Sequence, residues 1–446
     1  MTSSHPRSRS PFARNSRRAA GSALAALTVL AAVAGCSSGS SSSSSASGTT
    51  TISFMQIMIN GAQKSTLVKL TNDFETANPN IKVDLQYQPD YGTLHAKETA
   101  AIAAHNAPTI GQVYESWAAQ FADSQAILPV SQYAGSDKPD QFSTFYAGVQ
   151  KDLALPDGKN WMWPFNKSVQ VIYSNADLLK AKGLTAPTTW DQFAADAKAV
   201  SGNGVTGIAI DPGTTASPAG GTVMFQSLAA ANGTPDFAPD GTPQLNSPAA
   251  VQALTYLVDL KKAGALQVGT NYPGEAALGA QKGLFDLSSA AGYFYENQAV
   301  GGKFTMSTNV LPTGSTGRPT NVMSGTNLVE FAGASKAQQA AGWKYMQFLA
   351  SASSQAQWAS QTGYLPVTAA ALPLMSDFIA KNPYLPTAVG ALAYAVAEPP
   401  YSWVAKAEGE EVVALQAALD KGTDPTTALN TAQTNALADQ KAGAAQ

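Results

Sequence analysis

The sequence predicts an α/β protein with two lobes, and three observations lead to this prediction. First, the chain has 446 residues, which is more than one ordinary hydrophobic core encloses, and its 44% apolar content is that of a globular protein. Second, short runs with an apolar residue at every second position alternate with runs of helical spacing. Third, residues 164–172 start at a proline and continue through β-branched and aromatic side chains, which is typical of a buried strand.

The first 36 residues have the composition of an export signal. Arginines precede an apolar run over residues 23–34, which is shorter than the roughly 20 residues of a membrane-spanning helix. Cys36 follows small residues that resemble a bacterial lipobox, and it is the only cysteine of the chain. We therefore expect Cys36 to carry a lipid anchor, with residues 37–49 as a serine-rich tether. Arg17 and Arg18 are compatible with twin-arginine export, and the general secretory route is the alternative.

The charge of the chain argues against a nucleic-acid partner. Only 13% of the residues are charged and the net charge is -3, so the chain lacks the basic surface of a nucleic-acid binder. Beyond the export signal, Arg318 is the only arginine. We expect no nucleic-acid partner, no cofactor, no metal and a monomeric protein.

The part of the chain that follows the tether reads as strand, helix, strand, helix, strand. The strands are predicted at residues 50–55, 81–85 and 109–114, with helices near residues 67–77 and 93–105. This order predicts a parallel sheet with right-handed crossovers. Ligands bind beyond the carboxyl ends of such strands, which places Tyr91 and Glu115 at the edge of a cleft.

The later elements are predicted from the same periodicities. After residues 164–175 we expect a helix to start at residue 177 and another, capped by Thr188 or Thr189, to continue to residue 199. Further strands are predicted at residues 207–210, 284–289 and 324–331, and further helices at 223–231, 248–263, 276–283, 337–350 and 352–362. Residues 309–323 are predicted to be a loop, and helices from Leu374 and Glu408 complete the chain.

An ordered set of short motifs resembles a known family. The motifs are Asn78-Pro79, Asn106-Ala107-Pro108, Gln112-Val113-Tyr114-Glu115, Pro164-Phe165-Asn166 and Thr362-Gly363-Tyr364-Leu365-Pro366. Together they resemble the family 1 extracellular solute-binding proteins of ABC importers, and most closely the branch that binds glycerol-3-phosphate and glycerophosphodiesters. The resemblance implies a type II periplasmic-binding-protein fold, in which strands cross a hinge between two lobes. We assign residues 50–167 and 288–324 to the N-terminal lobe, and 168–287 and 325–446 to the C-terminal lobe.

The resemblance also implies a set of ligand contacts. They are Tyr91, Glu115, Ser168, Ser289, Gly325 and Tyr364, with Ser288 as an equal match for Ser289. A buried carboxylate such as Glu115 accepts hydroxyl donors, and tyrosine rings pack against the C–H surfaces of a sugar. The alternatives are a surface or capping role for Glu115 and a core role for Tyr364. Trp190 is expected to be structural or to line the cleft.

One departure from the branch concerns phosphate. The branch places an arginine on the phosphate after a Pro-Pro pair, whereas here Pro399-Pro400 is followed by Lys406 or Glu408 near that position. Arginine is suited to this role because its planar fork grips phosphate oxygens. Lys167 can compensate in part, but alternation along a strand turns it away from Ser168. We therefore expect a neutral sugar or polyol, with a glycerophosphodiester or glycerol-3-phosphate as the alternative.

Enzyme motifs occur only in unsuitable contexts. Residues 35–39 match a nucleophile elbow but lie at the expected cleavage site, and residues 202–207 match a dinucleotide motif but precede a strand. We therefore expect an extracytoplasmic, lipid-anchored protein that traps its solute by hinge closure and delivers it to an ABC permease. The alternatives from other classes are a secreted glycoside hydrolase and a surface adhesin.

Overall fold

The computed structural model describes residues 48–130 and 141–444. The predicted export signal, Cys36 and most of the serine-rich tether lie outside these residues. The strands in the described part are β1 Thr50–Gln56, β2 Ile81–Tyr87, β3 Ile110–Val113, β4 Ile127–Leu128, β5 Trp163–Asn175, β6 Thr206–Ile210, β7 Gly213–Thr214, β8 Ser217–Pro218, β9 Leu266–Val268, β10 Gly283–Ser289, β11 Met306–Val310, β12 Asn321–Phe331 and β13 Ala395–Val396.

Helices connect and flank these strands. The α-helices in the described part are α1 Gly61–Ala77, α2 Tyr91–Ala103, α3 Glu115–Asp123, α4 Ala147–Asp152, α5 Ala176–Ala181, α6 Trp190–Val200, α7 Gly220–Ala231, α8 Pro248–Lys262, α9 Pro273–Gly279, α10 Tyr293–Val300, α11 Lys336–Leu349, α12 Ala352–Thr362, α13 Ser376–Lys381, α14 Leu385–Ala391, α15 Val404–Lys421 and α16 Pro425–Gly443. Short 3-10 helices occupy Gln141–Thr144, Ala290–Gly292 and Ala369–Met375. Within the described residues, none of the helices is both long enough and apolar enough to cross a membrane.

The main sheet has the strand order β2-β1-β3-β12-β5-β10-β6-β9. β1 pairs in parallel with β2 and with β3, as the alternation of strands and helices predicts. β10, β6 and β9 form a second parallel group. The antiparallel strands β12 and β5 lie between the two groups. The fold class predicted from the sequence, α/β with mainly parallel sheets and long connecting strands, is confirmed.

β5 explains why the two parallel groups stay together. All of its residues are buried, so its side chains pack on both faces of the sheet. Phe165 and Val171 belong to one hydrophobic core cluster and Ile172 to another. The first cluster also contains buried residues of the segment 341–392, which follows β12, and the second contains buried residues of helices α7, α8, α15 and α16. Burial of β5 in both clusters makes this strand the main structural link between them.

Local capping agrees with the sequence. The side chain of Thr189 accepts a hydrogen bond from the backbone N–H of Gln192 at 3.1 Å, so Thr189 rather than Thr188 is the N-cap of α6. α11 begins with a capping box in which Ser335 and Gln338 bond each other's backbone. These polar caps fix where the helices begin and hence where their apolar faces lie.

Some predicted boundaries are wrong. Residues 309–323 are not all loop, because Asn309 and Val310 end β11, and β12 begins at Asn321. β11 has a polar sequence and lies half-buried against β5, so its pattern does not show apolar alternation. The helix predicted at residues 276–283 instead covers Pro273–Gly279, and Gly283 starts β10. The helix predicted to start at Glu408 starts at Val404, one turn earlier.

Candidate binding cavity

A cavity of about 170 Å³ lies where elements of the two core clusters meet. One side is formed by the starts of α2 and α3 together with β5 and β12, and the other by α7, α15 and the β7–β8 hairpin. The polar and aromatic residues that line it include Tyr91, Tyr114, Glu115, Ser116, Trp117, Asp152, Lys167, Gln226, Asp236, Glu398 and Glu408. The cavity therefore combines rings with acidic groups.

Glu115 is the first residue of α3, one residue beyond the end of β3, and it is 4% exposed. Lys167 reaches it from β5, with 2.9 Å between Lys167 Nζ and Glu115 Oε1. The same ammonium forms an ion pair with Asp152. Asn327 donates to Glu115 Oε1 at 2.8 Å and to Asp152 Oδ2 at 2.9 Å. Two buried carboxyl groups thus share the same two donors, the ammonium of Lys167 and the side-chain amide of Asn327.

This network has clear electrostatic consequences. Burial opposes the charge of Lys167, but the carboxylates of Asp152 and Glu115 more than compensate and raise the pKa of the ammonium. Burial and the neighbouring Asp152 raise the pKa of Glu115 well above its ordinary value. Lys167 therefore stays charged, and its charge is already balanced within the protein.

Aromatic rings form one wall of the cavity. The ring centroids of Tyr91 and Tyr114 lie 5.0 Å apart, and those of Tyr114 and Trp117 lie 5.1 Å apart in an edge-to-face arrangement. His95 stacks on Trp117 from α2 with a centroid distance of 4.5 Å. The position of the Trp117 ring is thus fixed by packing before any solute binds.

Acidic groups from other parts of the chain complete the lining. The backbone N–H of Ser116 donates to Glu398 Oε1 at 3.2 Å. Burial raises the pKa of Glu398 to about 7 and that of Asp236 to about 6. Glu408 lies on α15, where burial and the charge of Glu398 raise its pKa well above the ordinary value. Gln226 of α7 donates to Glu408 Oε1 at 3.5 Å.

Gly325 lines the cavity, but the close contact that requires a glycine here is with the backbone of β5. Its φ is +91°, and a Cβ atom at this position would lie 1.8 Å from the carbonyl oxygen of Asn166 on β5. The pairing of β12 with β5 shifts register between Thr326 and Asn327, directly after this glycine. Only glycine fits this conformation and this contact.

The other residues assigned by resemblance occupy two further places. Ser168 and Ser289 contact each other, with 2.7 Å between their hydroxyl oxygens, and they are not among the residues that line the cavity. Tyr364 is 6% exposed and stacks on Trp358, and burial together with the neighbouring Tyr91 raises the pKa of its hydroxyl. The structure thus brings Tyr91, Glu115 and Gly325 to one cavity, and ligand contact by all six residues stays a prediction. Trp190 packs in the second core cluster.

Sequence reasoning missed Asp152, Asn327 and Glu398 as parts of this site. A usable sign was present, because a lysine inside a strand predicted to be buried requires a counter-charge. The sequence does not indicate which acid supplies it, since Asp152 and Asn327 lie far from Glu115 along the chain.

Lys406 and Arg318, the cations considered for phosphate, lie elsewhere. The Lys406 side chain is 74% exposed and pairs with Asp439 of α16, and Arg318 is exposed in the segment that precedes β12. Among the described residues, no group of His, Cys, Asp or Glu side chains is arranged to hold a metal ion.

Two α/β cores with a polar cavity between their elements define a class of proteins that capture small solutes. The chain belongs to the bacterial extracellular solute-binding proteins, whose family model matches residues 69–387. It is thus a solute-binding protein of an ABC importer and acts on the extracytoplasmic side of the membrane.

The curated relatives include the sn-glycerol-3-phosphate-binding periplasmic protein UgpB of Escherichia coli K12 and of Shigella dysenteriae. Each is 30% identical to this chain over 362 residues, which cover 76% of this chain and 80% of the relative.

Solved structures share the fold. UgpB of Mycobacterium tuberculosis in complex with glycerophosphocholine has a TM-score of 0.78 and 20% identity, covering 88% of this chain and 99% of its own. Maltose-bound MalE3 of T. maritima has a TM-score of 0.76 and 21% identity, covering 87% and 99%. The GacH receptor of Streptomyces glaucescens has a TM-score of 0.76 and 19% identity, covering 88% and 99%. At sequence identities of 19–21%, these similarities show a shared fold and nothing further.

Proposed function

We propose that the protein captures a sugar or polyol-type solute in the cavity beside Glu115 and delivers it to the permease. The observation that carries this proposal is the pairing of an aromatic wall, formed by Tyr91, Tyr114 and Trp117, with carboxyl and amide groups across the same cavity. Rings pack against the C–H faces of a polyhydroxylated solute, and the polar groups exchange hydrogen bonds with its hydroxyls.

The size of the cavity supports a small solute. A cavity of roughly 150 Å³ holds a benzene ring, so a cavity of about 170 Å³ suits a molecule of monosaccharide size. The relatives and structural neighbours are named for glycerol-3-phosphate, glycerophosphocholine and maltose, and each of these compounds carries at least two hydroxyl groups.

A phosphomonoester is disfavoured by charge. Desolvating its nearly two negative charges requires cations in the cavity. Lys167 is the basic residue that lines it, and the ammonium of Lys167 is already balanced by Asp152 and Glu115. Glycerol-3-phosphate would therefore bring uncompensated charge next to further carboxyl groups.

Capture is proposed to occur by hinge closure. The cavity is lined by elements of both core clusters, so two lobes that move about β5, β10 and β12 would open and close it. The lobe boundaries predicted from the sequence stay a prediction. Lipid anchoring through Cys36 and a monomeric state are likewise part of this proposal, supported by the lipobox-like sequence and the serine-rich tether.

A thermal-shift screen tests the proposed solute class. Compounds that bind the folded state raise the midpoint of thermal unfolding. The screen contains monosaccharides, disaccharides, linear polyols, glycerophosphodiesters and glycerol-3-phosphate. We expect stabilisation by a sugar or polyol, and stabilisation by glycerol-3-phosphate alone would contradict the proposal.

We propose no catalysis in this cavity. A glycoside hydrolase also places two carboxyl groups in one cleft, and the acidic residues here make the comparison necessary. Incubation with oligosaccharides, followed by analysis of released sugars, separates the two functions. Released sugar that disappears in a Glu115→Gln variant would show an enzyme.

A further inference from the structure

We propose that the solute of this cavity carries a cationic nitrogen beside its hydroxyl groups, as an amino sugar or an amino polyol does. This inference rests on the proposed function and narrows its solute, in place of the neutral compound expected from the sequence. The evidence is the excess of acidic side chains around the cavity, the ion pairs of the lysine that lines it, and a buried hydroxyl at the cavity wall.

Acidic side chains outnumber basic side chains around the cavity. Among the described residues, the acidic side chains that line the cavity are Glu115, Asp152, Asp236, Glu398 and Glu408, and the basic side chain that lines it is Lys167. They come from both sides, because Glu115 begins α3 whereas Glu408 lies on α15. A solute between them is surrounded by carboxyl groups.

Lys167 does not neutralise this surplus. Its ammonium is committed to Glu115 at 2.9 Å and to Asp152, and its side chain is 1% exposed. The remaining acids, Asp236, Glu398 and Glu408, have no lysine or arginine partner among the ion pairs of the described residues. A cation in the cavity would supply the missing positive charge.

A second observation points to a ligand at the same place. The hydroxyl of Ser116 is buried at the cavity wall, where it lies near the Glu398 carboxyl group and makes no hydrogen bond of regular geometry within the described residues. Buried polar groups are nearly always hydrogen-bonded, so a solute hydroxyl or amine is a natural partner for it. The rings of Tyr91 and Trp117 line the same cavity, and aromatic rings attract cations.

The competing solutes fit less well. A neutral sugar satisfies the hydroxyl and the rings but leaves the carboxyl groups uncompensated, and an anionic solute adds to their repulsion. A metal ion would need ligands grouped around one point, and none of the described acidic residues are grouped in that way.

Matched pairs of probes test the inference in calorimetric titrations at pH 7.5. The pairs are 1-amino-1-deoxy-D-sorbitol with D-sorbitol, and D-glucosamine with D-glucose. We expect an amine to bind at least about tenfold more tightly than its hydroxyl partner, since charge-assisted hydrogen bonds are about twice as strong as neutral ones. Equal or tighter binding of the neutral partner overturns the inference and leaves the proposed function standing. Binding of no sugar or polyol in either pair overturns both.

Variants locate the effect in the cavity. Glu398→Gln should reduce the ratio of the amine's affinity to that of its neutral partner by about threefold or more. Glu408→Gln serves the same purpose if the first variant does not fold. The control is Glu410→Gln on the same helix, whose carboxylate bonds Asn435 away from the cavity. An unchanged preference in both cavity variants, or an equal loss in Glu410→Gln, would contradict the inference.

Discussion

Lys167 Nζ lies 2.9 Å from Glu115 Oε1, and both side chains are almost completely enclosed. The pair sits where β5 passes the start of α3, so it joins a strand shared by both core clusters to the edge of the binding cavity. Asp152 and Asn327 complete the network. A buried pair of this kind combines two roles, since it fixes the cavity wall and keeps the lysine from serving an anionic solute.

Replacing Lys167 with methionine should destabilise the protein. Methionine keeps most of the length of the side chain but leaves the carboxyl groups of Glu115 and Asp152 buried without their cation. Breaking a buried pair from one side costs about 3–5 kcal/mol, which urea unfolding at pH 7 measures. Lys406→Met is the matched control, because Lys406 is 74% exposed and pairs at the surface. Equal unfolding midpoints for the two variants would contradict the role given to Lys167.

Gly325→Ala should lower the free energy of unfolding by at least about 1–3 kcal/mol. The reason is that φ of Gly325 is +91° and that the added Cβ would clash with the carbonyl oxygen of Asn166. Gly390→Ala is the control, since Gly390 lies in α14 and a Cβ there meets nothing within 4 Å. Thermal unfolding of the two variants gives the comparison. If Gly325→Ala is as stable as the control, the strain at this position is not real.

Stability should fall as the pH rises from about 5 to 8. Burial raises the pKa of Asp286 to about 6, and burial with the charge of Asp286 raises that of Glu296 to about 11. Glu275 adds a further negative charge to both. Because these pKa values are raised, the native state holds more protons than the unfolded chain above about pH 4.5, and ionisation there favours unfolding.

Glu296→Gln replaces one of these titrating carboxyl groups with an amide, which does not titrate. We compare the thermal stability of this variant with that of the parent at each pH. The difference should favour the variant more at pH 8 than at pH 5, since the amide stays neutral at both values. Glu410→Gln should follow the pH dependence of the parent. A constant difference between Glu296→Gln and the parent across this range would show that the Asp286–Glu296 pair is not the cause.

Cys36→Ser should release the protein from the membrane without changing the folded domain. The proposed site of acyl attachment is Cys36 in the lipobox-like sequence, and the serine-rich tether lies between Cys36 and β1 in the sequence. Detergent phase partitioning and thermal unfolding measure the two properties. If the variant still partitions with detergent as the parent does, the anchor lies elsewhere.

Much of the fold could be predicted from the sequence, and the reasons are local. Apolar alternation at Ile81, Val83 and Leu85 and the stop at Asn78-Pro79 determine an element and its boundary without long-range information. β11 was missed because pairing with β5, rather than its own polar residues, makes it a strand. α10 was missed because its aromatic and polar residues do not follow a clear helical period.

The cavity was less predictable for a different reason. Alternation correctly predicts that Lys167 and Ser168 face opposite sides of β5, but it does not say which side holds the cavity. In the structure Lys167 lines it and Ser168 contacts Ser289. Asp152 and Glu398 reach the cavity through the tertiary fold, and no spacing along the chain relates them to Glu115.

The most direct test of the account is calorimetric titration of the protein and of Glu115→Gln, at low and high salt, with glycerol-3-phosphate and with the best sugar or polyol from the screen. We expect the sugar or polyol to bind, and the variant to bind it roughly ten- to a hundredfold more weakly, as loss of a charged hydrogen bond of about 1.5–3 kcal/mol implies. Glycerol-3-phosphate should give little or no heat of binding. Tight, salt-sensitive binding of glycerol-3-phosphate would contradict the account, because it would show that the acidic cavity accepts the charge that it is proposed to exclude.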